Sequence, residues 1–254
     1  MDERLSEHTA AFPKGTLETL ERMAEAPNYN AWLLERSEPY LGRRVLDVGA
    51  GTGTFTEALA REHDVVALEP DPALFEILRR RLALSPNVNV SSLDAASLAS
   101  SNVGEPFDSI VCFNVLEHIA ADREALEVFM ANLRPGGHLL LLVPAHPSLF
   151  GSTDVTAGHE RRYQREPLRA LLEDVGFRPD VLRYVNPVGG VGWFVSARLL
   201  KRKYVPTGPL RFYDRLVPLL RTLDHVDVGF GLSLWAVARR PALGADGEKR
   251  NTSA

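Results

Sequence analysis

Val45-Leu46-Asp47-Val48-Gly49-Ala50-Gly51-Thr52-Gly53 is the most informative stretch of this 254-residue chain. A run typical of a buried strand ends in three alternating glycines, and a helical pattern follows. Glycine lacks a Cβ atom, so such a turn can adopt positive φ angles and its backbone can come close to a bound nucleoside. The stretch therefore predicts a strand, a ligand-binding turn and a helix.

Short apolar runs alternate with helical patterns on the carboxyl side of this turn. The predicted strands are 44–48, 64–69, 88–90, 109–113 and 138–143, followed by 177–185 and 232–239, and the predicted helices are 55–62, 72–84, 123–133 and 166–175. Strands that are apolar almost throughout are covered by helices on both faces, as in a parallel sheet. We expect an α/β fold with a doubly wound sheet.

Two carboxylates next to the turn indicate the cofactor. Glu69 lies at the end of the second predicted strand, where a carboxylate can accept hydrogen bonds from ribose hydroxyls. In nicotinamide-dependent dehydrogenases the third glycine falls one residue later than Gly53 does. Asp47 would repel a pyrophosphate but attract the ammonium and sulfonium groups of S-adenosylmethionine. The spacing favours S-adenosylmethionine and makes a dehydrogenase the weaker enzyme alternative.

The glycine turn resembles the first motif of the class I S-adenosylmethionine-dependent methyltransferases. Asn114-Val115-Leu116-Glu117-His118-Ile119 narrows the resemblance to the type 11 and type 12 group of small-molecule methyltransferases. The similarity extends over residues 28–186. It implies a seven-stranded Rossmann-like sheet whose last strand is antiparallel, and methyl transfer by in-line displacement to an oxygen, nitrogen or carbon acceptor.

The resemblance also implies the cofactor contacts. The matching positions are Tyr29, Asp47, Gly49, Gly51, Gly53, Glu69, Asp94, Ala95 and Asn114. In the family, the acidic residue at the position of Asp94 hydrogen-bonds the adenine amino group. Asp94 could instead cap the turn that follows, and the segment around Tyr29 could instead be a helix that Trp32 packs onto the sheet.

Three histidines are candidate general bases. An acceptor hydroxyl or amine must lose a proton, and histidine is the side chain whose ordinary pKa suits that task. His118 follows the fourth strand, whereas His146 and His159 follow the fifth. Glu117 could orient His118, although both residues could simply cap a helix. No metal ligands are predicted.

The loop after the fifth strand also contains candidate substrate residues. Arg161 and Arg162 could clamp a carboxylate or phosphate, and Tyr163 could hydrogen-bond the acceptor. Further along, Trp193 is a candidate substrate contact. The alternative for the two arginines is a solvated loop that carries salt bridges.

Residues 187–231 are predicted to be a helical insertion between strands six and seven, above the ligand crevice. This segment has seven Lys or Arg residues against three Asp, including the basic run Arg198, Lys201, Arg202 and Lys203. Apolar and cationic residues together suggest a lipid-linked or anionic acceptor, or peripheral contact with the inner face of a membrane. A helical lid with a solvated face is the alternative.

Composition limits the remaining possibilities. With 33 acidic against 29 basic residues the chain has a formal charge of -4, which disfavours nucleic acid as a partner. The acidic N-terminal stretch and the absence of a long apolar run predict a cytoplasmic protein.

We expect a peripheral segment 1–27, a methyltransferase domain 28–240 and a mobile tail 241–254. A methyltransferase-like module that binds cofactor without turnover is the non-enzyme alternative, and the oligomeric state stays open.

Overall fold

The computed structural model describes residues 25–101, 103–194, 207–221 and 228–242. The strands are β1 (Arg44–Val48), β2 (Asp64–Leu68), β3 (Val88–Ser91), β4 (Phe107–Phe113), β5 (Leu133–Pro144), β6 (Arg178–Val185) and β7 (Ser233–Arg239). The helices are α1 (Pro27–Ser37), α2 (Thr54–Leu59), α3 (Pro72–Arg81), α4 (Asp122–Asn132), α5 (Ser152–Ala157), α6 (Arg165–Val175), α7 (Pro187–Trp193) and α8 (Thr207–Leu220).

The seven strands form one sheet in the order β3-β2-β1-β4-β5-β7-β6. The pairs among the first five strands are parallel, and β7 runs antiparallel to both β5 and β6. Strand order reverses beside β1, so the edge at which β1 and β4 end is the topological switch point where α/β folds bind ligands. The predicted doubly wound sheet with an antiparallel last strand is confirmed.

Both faces of the sheet are buried, as the apolar strands predict. Leu46 and Ile110 face one core, which α4 and α6 cover. Their neighbours Val45 and Val111 face the other, which α1, α2 and α8 cover. Because successive side chains of a strand point to opposite faces, an apolar residue at every position buries both sides at once.

The largest difference from the predicted boundaries is at β5, which begins at Leu133 and not at 138. Leu133 pairs with Phe107, and a register shift follows before Ser109 pairs with His138. The irregularity contains the left-handed Gly136, which sequence patterns treat as a turn. A strand with an internal bulge therefore looks like a loop followed by a shorter strand.

The insertion between β6 and β7 leaves and re-enters the sheet at its carboxyl edge. Val185 at the end of β6 pairs with Ser233 at the start of β7, and Ser233 also pairs with Pro144. The insertion contains α7 and α8. Within it, the basic residues 198 and 201–203 lie outside the described residues, as do most of segment 1–27 and of the tail 241–254. Among the described residues, no helix is both long and apolar enough to cross a bilayer.

Candidate active site

The glycine turn at the end of β1 is closed by the carboxylate of Glu69. Gly49, Gly51 and Gly53 have φ angles of +70°, +58° and +87°, which side chains rarely adopt. The Gly51 N–H donates to Glu69 Oε2 at 2.7 Å, and the Asp71 N–H donates to Oε1 at 2.9 Å. Burial raises the pKa of Glu69. The carboxylate thus fixes the turn, and its remaining lone pairs can accept from a ribose.

Asp47 lies beneath this turn and is 4% exposed. Its Oδ2 accepts a hydrogen bond from Thr56 Oγ1 of α2 at 2.6 Å. Burial raises the pKa of Asp47 to about 6, because water no longer stabilises the charged form. A cationic ligand close to the turn would stabilise the ionised carboxylate.

The other predicted cofactor residues also follow strand ends. Asp94 is exposed and its Oδ1 accepts from the Ser97 N–H at 2.6 Å, so it caps the turn after β3. Ala95 is buried, and Asn114 is an exposed left-handed residue immediately after β4. The adenine contact of Asp94 stays a prediction alongside the observed cap.

Tyr29 lies on α1 with its side chain buried. Its ring packs 5.5 Å from Trp32 and 6.3 Å from Tyr213 of α8. Its N–H donates to Asp214 Oδ1 at 2.9 Å. Trp32 shares a buried cluster with Val111 of the sheet, so α1 is a helix packed on the sheet, which was the alternative to a cofactor contact. A role of Tyr29 toward the cofactor stays a prediction.

Val115 packs against the glycine turn and directly precedes the segment that contains Glu117 and His118. A Cβ atom on Gly49 would come within 2.4 Å of Val115 Cγ2, so the turn and the residues after β4 are packed tightly together. The next three residues form a 3-10 turn, Leu116–His118. The glycine turn and His118, one of the three predicted histidines, therefore belong to the same edge of the sheet.

His118 and His159 lie side by side although they belong to different loops. Their rings are 4.9 Å apart at an angle of 81°. His118 Nδ1 lies 3.1 Å from the Gly158 carbonyl, and His159 Nδ1 lies 2.8 Å from Asp154 Oδ1. Burial, helped by the charge of His159, lowers the pKa of His118 to about 4.

Glu117 lies beneath the two histidines and is completely buried. Its Oε1 is 3.9 Å from His159 Nε2, and among the described residues neither carboxyl oxygen has a hydrogen-bond partner. Burial raises the pKa of Glu117 to about 8. Its place in a 3-10 turn, with no side-chain cap at that turn, does not bear out the helix-capping alternative.

His146 is held in a different way. It is left-handed, with φ of +58°, and its ring stacks on Tyr184 at 4.5 Å and on Phe230 at 5.0 Å. Burial and the charge of Arg162 lower its pKa. His146 is therefore a neutral ring between two aromatic side chains, beside the loop that contains His159.

The two arginines predicted to bind substrate have internal partners, and the burial of Arg162 does not fit the alternative of a solvated loop. Arg162 is 5% exposed, donates from Nε to Asp154 Oδ1 at 2.8 Å, and lies over the ring of Trp193 at 4.8 Å. Arg161 pairs with Asp122 at 2.7 Å. A substrate anion would compete with these carboxylates, so the substrate roles of the arginines and Trp193 stay predictions.

Tyr163 is buried, and its hydroxyl donates to Asp122 Oδ2 at 3.0 Å. Burial, followed by the charge of Asp122, raises its pKa. Sequence reasoning missed Asp122 and Asp154, the acceptors that order this loop. The available signal was the Arg161-Arg162 pair, because guanidinium groups that leave bulk solvent require counter-charges.

The fold and the glycine turn define a Rossmann-like α/β protein with left-handed glycines at the switch point of its sheet. A sequence profile described as a methyltransferase domain matches residues 11–182, more than half of the chain. The chain therefore belongs to the methyltransferase domain family, and the predicted membership in the class I S-adenosylmethionine-dependent methyltransferases is confirmed.

Named relatives agree with this family. The mitochondrial ubiquinone biosynthesis O-methyltransferase of Schizosaccharomyces pombe is 31% identical over 105 residues, 40% of this chain and 38% of that protein. The demethylmenaquinone methyltransferase of Clavibacter sepedonicus is 34% identical over 149 residues, 58% of each chain. The chain thus spans less than two thirds of either relative.

A solved structure agrees with the fold. The S-adenosylmethionine-dependent methyltransferase of Archaeoglobus fulgidus superposes with a TM-score of 0.57 at 19% identity, covering 84% of this chain and 94% of that one. At this identity the likeness concerns the fold.

Proposed function

We propose that the chain binds S-adenosylmethionine at the carboxyl edge of the sheet and transfers its methyl group to a small-molecule acceptor. The observation that carries the proposal is the turn of left-handed glycines whose Gly51 N–H is fastened to Glu69. The turn leaves backbone exposed to a nucleoside, and the Glu69 carboxylate lies at the position that recognises ribose in this fold class. Asp47 adds a negative charge for the cationic end of the cofactor.

Methyl transfer needs positioning more than covalent chemistry from the protein. The sulfonium–methyl bond breaks while a bond from the acceptor to the methyl carbon forms, and the cofactor leaves as a neutral thioether. Holding the two partners in line supplies most of the acceleration. An acceptor that carries a proton must lose it, and His118, His146 and His159 are the proposed bases. His118 and His146 have lowered pKa values, so at neutral pH each ring is uncharged and can accept a proton.

We propose a hydroxylated aromatic acceptor, methylated on oxygen. The Schizosaccharomyces pombe relative is named as a ubiquinone biosynthesis O-methyltransferase, and the relative from Clavibacter sepedonicus also acts, by its name, on a quinone. The stacked rings of Tyr184, His146 and Phe230 add planar apolar surface beside the loop. Planar side chains of this kind pack well against aromatic molecules.

We further propose that the acceptor is lipid-linked or anionic. We also propose a cytoplasmic location with peripheral contact to the inner face of the membrane. α7 and α8 expose large apolar side chains, among them Val191 at 60% and Phe212 at 65%. The basic run lies in the sequence between these two helices. Apolar residues next to cations are the combination that anionic amphiphiles and anionic bilayers attract.

Transfer of radiolabelled methyl groups tests the function. The chain is incubated with methyl-labelled S-adenosylmethionine and a panel of catechols and other phenols, and label is counted after extraction into organic solvent. We expect label with the parent and with Gly136→Arg, but none with Gly51→Arg. Gly136 is a matched control because it is also left-handed and a Cβ atom there meets nothing within 4 Å.

The pattern of label separates the alternatives. Label with amines or carbon acids but not with phenols would overturn the oxygen acceptor and keep methyl transfer. Cofactor binding without label on any acceptor would favour the binding module that lacks turnover.

A further inference from the structure

We propose that Glu117, His118 and His159 form a binding site for one divalent transition-metal ion, with Zn²⁺ as the expected ion. The three residues come from two loops, the 3-10 turn after β4 and the segment before α6. Sequence spacing gave no sign of such a site, because folding alone brings His159 beside the Glu117-His118 pair.

The ligand atoms are already grouped. One carboxylate oxygen and one ring nitrogen from each histidine all lie within 4.8 Å of one another. Zinc bonds to nitrogen and oxygen are about 2.0–2.2 Å long, which places neighbouring ligand atoms of a tetrahedral site roughly 3.4 Å apart. The His159 Nε2 to Glu117 Oε1 distance of 3.9 Å is close to this value. Small side-chain rotations would close the site around an ion.

Hydrogen bonds at the far side of both rings select the correct nitrogen. His118 Nδ1 lies at the Gly158 carbonyl, and His159 Nδ1 lies at the Asp154 carboxylate. An acceptor at Nδ1 holds the proton there and leaves the lone pair on Nε2, one of the two ring nitrogens that bind metals. A carboxylate behind a ligating histidine is the usual support of a zinc site.

The Asp154 carboxylate, which supports His159, is itself held by hydrogen bonds. Asp154 is fully buried and accepts from Arg162 Nε at 2.8 Å and from the Gly151 N–H at 2.9 Å. These two hydrogen bonds fix the Asp154 carboxylate, which in turn holds the His159 ring in one orientation.

Glu117 supplies an independent reason for a ligand. Its carboxyl group has no exposed surface, and no described residue hydrogen-bonds either oxygen. A buried polar group without a hydrogen-bond partner destabilises the folded state, and a buried charge does so more strongly. The neighbouring buried acid Asp154 has several hydrogen-bond partners, whereas the Glu117 carboxyl group has none among the described residues. A cation between Glu117 and the two imidazoles would provide a partner for this carboxyl group.

The donor set points to the kind of ion. Magnesium and calcium prefer sites made of oxygen, while two imidazoles and one carboxylate suit zinc and its first-row neighbours. Three protein ligands leave a fourth position open, as in catalytic zinc sites. An acceptor hydroxyl bound there would lose its proton to solvent more easily before it attacks the methyl group.

The role of the ion in activating an acceptor hydroxyl rests on the proposed function, but metal binding itself does not. A histidine that binds an ion through Nε2 cannot also take a proton there, so His146 would be the remaining candidate base of the three. The metal site therefore also narrows the assignment of the base.

Cobalt binding tests the site in the full chain. After dialysis against a chelator, the protein is titrated with Co²⁺, whose visible absorption reports imidazole and carboxylate ligation, and Zn²⁺ is then added to displace it. We expect one equivalent to bind the parent, and affinity to fall at least tenfold in both Glu117→Gln and His159→Asn. His63→Asn is the matched control, because His63 Nδ1 also lies at a carbonyl, that of Gly42 at 2.9 Å, at the opposite edge of the sheet. It should bind Co²⁺ like the parent.

The proposal is overturned if the chelator-treated parent binds no Co²⁺ with an imidazole spectrum, or if both site variants bind like the parent. Circular dichroism checks the fold of each variant. If Glu117→Gln does not fold, the parent titration and His159→Asn decide the outcome. A parallel titration with S-adenosylmethionine distinguishes the two proposals: cofactor binding without metal binding rejects the metal site alone, and the reverse rejects the proposed function alone.

Discussion

At the scale of the residue, Glu69 has two tasks, because its carboxylate closes the glycine turn and lies where a ribose would bind. Charged hydrogen bonds contribute on the order of 1.5–3 kcal/mol each. We expect Glu69→Ala to weaken S-adenosylmethionine binding at least tenfold in a calorimetric titration. Glu62→Ala, on the surface, is the control and should leave affinity unchanged. A change of less than twofold for Glu69→Ala would place the ribose elsewhere.

Asp47 predicts a pH dependence of stability. Its pKa is raised from 3.8 to about 6 in the folded chain, so between these values the folded state binds more protons than the unfolded state. The stability that it contributes is therefore complete at low pH and is lost as pH rises through about 6. With 1.36 kcal/mol per pKa unit, ionising the buried group costs about 3 kcal/mol.

The substitution Asp47→Asn removes this titration. We expect the unfolding free energy of Asp47→Asn, relative to the parent, to increase by about 2–3 kcal/mol between about pH 4 and about pH 8 without cofactor. Urea unfolding at a series of pH values measures the difference. A difference that is constant across this range would show that Asp47 does not titrate as described.

At the scale of the element, α1 and α8 are joined by a carboxylate that replaces a helix cap. α1 has Ala26 at its N-cap and no side-chain cap of its own. Asp214 of α8 is 4% exposed and accepts from the Tyr29 N–H at 2.9 Å and from Asn28 Nδ2 at 2.9 Å. The carboxylate also lies at the positive end of the helix dipole. The inserted helix is thereby fastened to the helix that precedes β1.

Replacing this residue should loosen both helices. We expect Asp214→Ala to lower the unfolding free energy by about 2–3 kcal/mol, because it removes the acceptor of the buried Tyr29 N–H and of the Asn28 side chain. Glu35→Ala is the matched control. Glu35 of α1 pairs on the surface with Arg221, the residue after α8, at 2.9 Å, and a surface ion pair contributes about 0–1 kcal/mol. Equal losses in chemical denaturation would argue against the capping role.

The elements that sequence predicts best are those governed by a local pattern. The apolar runs gave β1 from Arg44 to Val48, as observed, because strands buried on both faces need apolar residues throughout. The contact of Asp214 with α1 could not be predicted. It joins residues that are distant in the chain, and no periodicity of either segment indicates its partner.

At the scale of the whole molecule, the insertion is the part that the family does not explain. The profile ends at residue 182, before α7 and α8 begin. We expect replacement of Lys201, Arg202 and Lys203 by Ala to leave cofactor affinity unchanged and to reduce either turnover of an anionic acceptor or adsorption to anionic vesicles. Exposed cations make the loss dependent on salt.

Sedimentation with vesicles of phosphatidylserine and phosphatidylcholine measures the adsorption, and vesicles of phosphatidylcholine alone are the control. If the triple variant equals the parent in adsorption and turnover at low ionic strength, the basic run is a solvated face. The acceptor would then have to be sought near Arg161 and Arg162.

The candidate site was predictable in part, for a reason that applies to the whole fold. In a parallel sheet every strand ends at the same edge, so residues after strand ends, such as Gly49, Glu69 and His118, are brought together by topology alone. The finer arrangement depends on loop conformation. The stacking of His146 on Tyr184 and Phe230, from three separate segments, has no local pattern that could reveal it.

The central claim is that the glycine turn binds S-adenosylmethionine, and calorimetric titration of the parent, Gly51→Arg and Gly136→Arg tests it most directly. Both glycines are left-handed, so both substitutions impose similar backbone strain, but Gly51 is buried beside Glu69 and Gly136 has open space around it. Circular dichroism checks that each variant is folded. The account predicts micromolar binding by the parent and by Gly136→Arg, and none by Gly51→Arg. Micromolar binding by folded Gly51→Arg, or none by the parent, would contradict it.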